Sequence, residues 1–273
     1  LPLDPYFSAS KLAWILANVP EAKDLLREKR LALGTTDAFF MQNLIGRFVT
    51  DVTTASRTSL MNLQTMEWDD ELCNLFGVPL ETLPEILATQ DEFGELKVKG
   101  RKIPLRASVV DQQASLYGHG CRNVGDAKIT LGTGAFALVI NGDSPEMNEA
   151  HGLLPTVAWR LGGEAPVYAL DGGVYNAASA VNWARGLGLF SEYQEINTFE
   201  KPAAIDRGLT FVPALSGLAC PHWQRETRAC FEGMSLDTGP LDLVQAVLEG
   251  VALRIAEVIF AIDKSVAIAE EIS

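Results

Sequence analysis

Cysteine and histidine pairs at metal or redox spacing are missing from this sequence. Its 4 cysteines, Cys73, Cys121, Cys220 and Cys230, form no CxxC, and its 3 histidines, His119, His151 and His222, lie far apart. That spacing supplies neither a zinc site nor a redox motif. A chain of 273 residues buries enough core to need no disulfide staples, so the thiols read as reduced and mostly buried. Concentrated positive charge is lacking too. The formal charge of −13 argues against a nucleic-acid partner, because phosphate backbones demand clustered Lys and Arg. A phosphorylated small molecule stays open, since a local nest of backbone N–H groups holds an anion at any net charge.

Long uninterrupted apolar runs are absent as well. The most apolar stretch, residues 241–262, is broken by Glu249, Arg254 and Glu257, which the centre of a bilayer penalises. It reads as a core helix, and no membrane insertion is expected. Leu1-Pro2-Leu3-Asp4-Pro5 forms no targeting segment, so a cytoplasmic location is expected. The sequence does not open on methionine and starts on the approach to a helix, so we expect a piece of a longer protein. Neither the P-loop nor the dinucleotide fingerprint occurs.

What is present is a globular composition, 48% apolar and 21% charged. The first third reads as helical. Ser8 or Ser10 caps a helix with Leu12, Ile15 and Leu16 on its apolar face, and a second helix covers residues 21–30. A third, capped by Thr35 or Thr36, ends at Gly46. Residues 51–58, rich in Thr and Ser, read as irregular or extended. Trp68-Asp69-Asp70 opens a short helix ending at Gly77, and residues 90–102 read as a loop or edge strand. Residues 105–110 read as a buried strand running into a helix at 112–120. Residues 128–131 and 135–140, joined by Gly132-Thr133-Gly134, carry a hairpin signature. Further strands are expected at 168–170, 209–212 and 229–234, with a helix at 174–185. Cys220-Pro221-His222-Trp223 reads as a structured turn. The mixture is α/β or α+β, with its best boundary near residues 121–125.

Two positions suit chemistry. Asp111, followed by Gln112, lies at a strand-to-helix junction, where open α/β sheets bind ligands. A carboxylate there takes the proton of an attacking hydroxyl, as phosphoryl transfer requires, or simply caps the helix. Gln112 both donates and accepts hydrogen bonds, which suits a polyhydroxylated substrate. Gly132-Thr133-Gly134 lets backbone approach a phosphate closely, or serves only as a tight turn.

Several stretches together resemble the FGGY carbohydrate kinases, and among them the glycerol kinases. They are Asp4-Pro5-Tyr6-Phe7-Ser8 with Lys11 and Trp14, Thr54-Ala55-Ser56-Arg57-Thr58, and Trp68-Asp69-Asp70. Asp111-Gln112-Gln113-Ala114, Gly132-Thr133-Gly134-Ala135-Phe136, Phe211-Val212-Pro213-Ala214 and the run from Ala229 to Glu249 follow in the family's order. The resemblance implies two actin-like (ribonuclease-H-like) domains closing over a cleft, each incomplete here. Residues 1–122 would be the later part of a substrate-binding domain and residues 123–273 the first part of a nucleotide-binding one.

The resemblance further implies ATP and Mg²⁺ as cofactors and Asp111 as catalytic base. Tyr6, Asp111 and Gln112 would contact a small polyol, and Phe136 would pack on its carbon chain. Gly132 and Thr133 would lie near the ATP phosphates, and the helix with Ala178 and Asn182 would serve the nucleotide. No protein metal ligand is assigned, and a homo-oligomer is expected. The implied reaction is ATP-dependent phosphorylation of glycerol to glycerol 3-phosphate. The alternatives are a kinase for another polyol or ketose, or an inactive relative. Val110, Ala17, Ala178 and Asn182 depart from the family's usual residues. The family's amino-terminal phosphate-binding strands with their Mg²⁺-positioning aspartate, its Arg-Glu pair on the glycerol hydroxyls, and its carboxy-terminal adenosine motif find no match.

Overall fold

The structure, a computed structural model, describes residues 4–145, 151–269 and 271–273. The chain divides into two compact units. The first comprises Leu1–Arg122, Ile140–Glu146 and Pro155–Ala169, the second Asn123–Val139, Met147–Leu154 and Leu170–Ser273.

The first unit opens with helices α1 (Ala9–Asn18), α2 (Pro20–Arg27) and α3 (Thr36–Ile45). Pro20 at the first helical position loses no hydrogen bond there and sets the turn between α1 and α2. Helix α3 ends where Gly46 adopts φ 75°, and α5 (Asp70–Phe76) ends at Gly77 with φ 67°, both left-handed positions that a Cβ would strain. Asp69 caps α5 by accepting from the N–H groups of Glu71 and Leu72. Ala9, Leu12, Leu33, Leu60, Cys73 and Val78 form one buried cluster beneath these helices. Each fully buried side chain such as Leu60 contributes about 1.5–3 kcal/mol.

Strand β1 (Val49–Asp51) is buried throughout and pairs in parallel with β2 (Glu85–Leu87). The Thr-rich segment after β1 is not irregular. Asp51 turns the chain directly into a short helix, α4 (Val52–Ala55), by accepting from the N–H groups of Thr53 and Thr54. Residues 90–102 are neither loop nor single edge. They belong to a two-stranded antiparallel ribbon of β3 (Gln90–Val98) and β4 (Arg101–Ala107). The expected buried strand over 105–110 is therefore corrected. Only Leu105 of β4 is even half-buried, and residues 108–110 are coil leading into α6 (Asp111–Gly118).

Strands β5 (Ala127–Leu131), β6 (Ala135–Gly142), β7 (Leu154–Trp159) and β8 (Val167–Val174) form a sheet in the order β5-β6-β8-β7. β5 and β6 pair antiparallel from Ala127↔Val139 to Leu131↔Ala135, so the expected hairpin with Gly132-Thr133-Gly134 as its turn is present. In the second unit helix α7 (Ala178–Gly186) follows β8, starting four residues later than expected. β9 (Thr210–Val212) and β10 (Cys230–Glu232) pair antiparallel. Helix α8 (Pro240–Ser265) buries Val244, Val247, Gly250, Arg254, Val258, Ala261 and Ile262, a three- and four-residue repeat that keeps one face inward. Gly250 is what lets α8 approach β9, since a Cβ there would stand 2.3 Å from the carbonyl oxygen of Phe211. Cys220-Pro221-His222-Trp223 is a turn, with the N–H groups of His222 and Trp223 both donating to the Ala219 carbonyl. No disulfide joins the four cysteines; Cys230 is exposed and the other three are buried.

Candidate active site

Asp111 is the first residue of α6 rather than its cap. Val110 occupies the cap position in extended conformation, φ −71° and ψ 148°, and offers no side-chain acceptor. The Asp111 carboxylate is exposed, and its Oδ1 accepts the N–H of Gln112 at 2.8 Å. A carboxylate in the first turn faces the positive end of the helix dipole. The opposite side of α6 is anchored. Gln113 is 1% exposed, and its Nε2 donates to Thr156 Oγ1 at 3.1 Å and the Val157 carbonyl at 3.3 Å. Thr156 Oγ1 in turn lies 2.8 Å from Ser56 Oγ. Leu116, fully buried one turn on, adds an apolar anchor. Asp111 therefore projects from a helix whose inner face is fixed.

The approach to α6 is held as tightly. The N–H of Val110 donates to Thr53 Oγ1 at 3.0 Å, and that hydroxyl donates to Asp51 Oδ2 at 2.6 Å. The same carboxylate accepts from the N–H of Thr53, and from the N–H and hydroxyl of Thr54. Burial pushes the Asp51 carboxyl above its ordinary value, while the bonds from Thr53 and Thr54 oppose that rise. The signal for this arrangement was in the sequence: an Asp followed two and three residues on by Thr is a helix-capping pattern.

Tyr6, before α1, takes its backbone N–H to Asp4 Oδ1 at 2.8 Å. The Arg57 guanidinium lies 4.7 Å from its ring centroid, and the Phe7 ring meets it edge-on at 5.5 Å. Tyr6, Asp111 and Gln112 all belong to the first unit, and the five other expected site residues belong to the second.

In the second unit the β5–β6 turn and α7 are joined by backbone. The N–H of Ala178 donates to the Gly132 carbonyl at 3.0 Å, and those of Ala177 and Ser179 donate to the Thr133 carbonyl at 3.0 and 3.1 Å. These carbonyls satisfy donors that a capping side chain would otherwise take, and no side chain caps α7. Gly132, Thr133 and Ala178 are thus brought together. Asn182 lies one turn further along α7, its Oδ1 accepting the Tyr193 hydroxyl at 2.6 Å. The Phe136 ring covers two glycines, since a Cβ on Gly134 or Gly173 would stand 3.4 Å from it. At Gly132, by contrast, an added Cβ meets nothing closer than the Gly134 carbonyl at 3.8 Å, and the Thr133 side chain is exposed.

Comparison with known proteins settles the lineage. The amino-terminal domain model of the FGGY family of carbohydrate kinases matches residues 1–118, and the carboxy-terminal domain model matches residues 127–272. The chain belongs to the FGGY family of carbohydrate kinases. It is 42% identical over 265 residues to a glycerol kinase of Thermus brockianus, covering 96% of this chain and 53% of that protein. It is 42% identical to a glycerol kinase of Mycoplasma genitalium, covering 93% and 52%. Among solved structures, Plasmodium falciparum glycerol kinase with ADP superposes with a TM-score of 0.81 at 32% identity, over 97% of this chain and 54% of that one. A Lactobacillus acidophilus gluconate kinase gives 0.76 at 25% identity, over 97% and 54%. The FGGY chain described here spans about half the length of the curated relatives it matches, and its fold is the two-domain, actin-like fold of that family.

Proposed function

We propose that this protein transfers the γ-phosphoryl group of ATP to glycerol, giving glycerol 3-phosphate and ADP. The observation that carries the reading is Asp111. It is an exposed carboxylate on a rigidly anchored helix, in a chain 42% identical to glycerol kinases. A glycerol hydroxyl oxygen forms the new bond to the γ-phosphorus as the bond from that phosphorus to the bridging oxygen breaks. The hydroxyl proton passes to Asp111. Gln112 supplies a donor and an acceptor to the remaining hydroxyls, and Tyr6 and Phe136 supply apolar faces for the carbon backbone. ATP is assigned to residues 132–134 and to Ala178 and Asn182. The open space above Gly132 and the exposed Thr133 hydroxyl support that assignment. On this reading residues 1–122 serve the substrate and residues 123–273 the nucleotide.

ATP-dependent phosphoryl transfer uses Mg²⁺, which neutralises charge on the phosphates. Among the described residues no group of three His, Cys, Asp or Glu side chains converges to hold a metal. We place the enzyme in the cytoplasm, where ATP and reduced thiols coexist; among the described residues no helix is long and apolar enough to cross a membrane. A homo-oligomer is consistent with exposed apolar residues on α8 such as Leu253 and Phe260. The reading is tested by assaying the complete reading frame that contains this chain with ATP and glycerol, xylulose or gluconate. Glycerol is expected to give the highest kcat/KM, and a preference for the pentulose transfers the assignment to the ketose kinases.

A further inference from the structure

The hydrogen-bond chain from Asp51 through Thr53 to Val110 reaches the residue directly before Asp111. Asp51 and Thr53 are both 0% exposed, so the bond between hydroxyl and carboxylate is shielded from water, and the Val110 bond is part-buried. A main-chain N–H can only donate, so Thr53 Oγ1 must accept from Val110 and spend its own proton on Asp51 Oδ2. The hydroxyl has a single assigned orientation, and removing it leaves both a buried carboxylate oxygen and an N–H short of a partner. Thr89 ties the same segment a second time. Its hydroxyl lies 3.4 Å from Asp51 Oδ2 and accepts the N–H of Arg160 at 3.1 Å, while its carbonyl accepts the N–H of Ser108 at 3.0 Å. Residues 108–110 are coil between β4 and α6. The Val110 carbonyl accepts the N–H of Ala114 at 2.9 Å in the first turn of α6, and the N–H groups of Ser108 and Val110 are held by the Thr89 carbonyl and Thr53 Oγ1.

We propose that Thr53, oriented by Asp51, is a positioning residue for Asp111: it fixes the backbone from which the carboxylate projects and so the carboxylate's distance from the reacting hydroxyl. This rests on the reading of Asp111 as the proton acceptor. Displacing a catalytic group by about 1 Å can cost on the order of 100-fold in rate, and one slackened backbone tether permits a shift of that size.

The test is a set of variants of the complete reading frame, assayed with glycerol and ATP. Thr53→Val keeps the side-chain shape and deletes the hydroxyl, whereas Thr53→Ser keeps the hydroxyl. Val110→Pro removes the other end of the same bond, and Val110 already has φ −71°, which proline adopts. That third variant leaves the core around Thr53 intact, so it reports even where Thr53→Val does not fold. Thr53→Val and Val110→Pro are each expected to lower kcat roughly 10- to 100-fold with KM for ATP within twofold. Thr53→Ser should restore most of the rate, and the Thr53→Val/Val110→Pro double variant should be no worse than either single. In an Asp111→Asn background Thr53→Val should cost nothing further in kcat. Normal kcat in Val110→Pro, or losses that multiply with Asp111→Asn, overturn the positioning role while leaving Asp111 as the base. Normal turnover in Asp111→Asn alone overturns the underlying reading and the positioning role with it.

Discussion

The carbonyl oxygen of Thr133, at the tip of the β5–β6 hairpin, accepts the backbone N–H of Ala177 at 3.0 Å just ahead of α7. A turn thereby does the work of a helix cap, and the two segments assigned to ATP are tied by backbone hydrogen bonds. The turn tolerates no side chain at its inner corner. A Cβ at Gly134 would stand 2.6 Å from the Val174 carbonyl and 3.1 Å from that of Tyr175. Gly134→Ala is therefore expected to destabilise the protein by about 2–4 kcal/mol, read by urea unfolding. Thr133→Ala, at an exposed side chain, should stay within about 0.5 kcal/mol and instead raise KM for ATP. Equal stability of the two variants would contradict the packing at Gly134.

Gly250 provides a case in which two effects oppose. In an exposed helix interior, Gly→Ala stabilises by about 1 kcal/mol through propensity. Here the new Cβ would lie 2.3 Å from the Phe211 carbonyl oxygen, and neither the strand nor the 26-residue helix yields cheaply. Overpacking costs about 1–3 kcal/mol or more, so the clash outweighs the propensity gain. Gly250→Ala should lower Tm, and a raised Tm would show that α8 and β9 are less closely packed than described.

Legibility followed the range of the interaction. The β5–β6 hairpin, the helix stops at Gly46 and Gly77 and the core helix over 241–262 are encoded by neighbouring residues, and each is readable from the sequence. Residues 105–110 are not the buried strand expected, because a short apolar run does not say what covers it; among the described residues β4 pairs only with β3, and its Ile103 is left half in solvent. Strand β7 went unread among the expected elements. Helix α7 starts at Ala178 because Gly132 and Thr133, more than 40 residues earlier, accept the N–H groups of residues 177–179, a dependence invisible locally. Asp111, Gly132 and Thr133 stand out by residue type and place, with a helix cap and a tight turn as the competing readings, and the resemblance supplies their expected roles; Thr53 does not stand out, because its partner Val110 lies 57 residues away.

Asp242 gives a pH test. Its carboxylate, buried at the start of α8, accepts from Lys201 Nζ at 2.9 and 2.7 Å, from the N–H of Gly239 at 2.9 Å and from Arg207 Nη1 at 2.8 Å. The Lys201 bond foremost, then the Gly239 N–H and Arg207, hold its pKa down to about 2 from 3.8. A carboxylate depressed on folding contributes stability that is fully present above the unfolded value of 3.8 and is lost as pH falls through about 2. Asp242→Asn should therefore cost about 1–2 kcal/mol near neutrality. The gap from the wild-type protein should close between pH 4 and 2. A difference independent of pH over that window would show that the cations do not set the carboxylate's state.

The account turns on Asp111, and kcat of Asp111→Asn measures it most directly. Asparagine keeps the size and the hydrogen-bonding capacity of the side chain but cannot take the glycerol proton. With glycerol and ATP, kcat in the complete reading frame is predicted to fall by about 10²–10⁴-fold. KM for ATP and Tm should be nearly unchanged, because the carboxylate is exposed and the helix is anchored through Gln113. Turnover within a few-fold of the wild-type value would contradict the account and leave Asp111 as no more than the first residue of a helix.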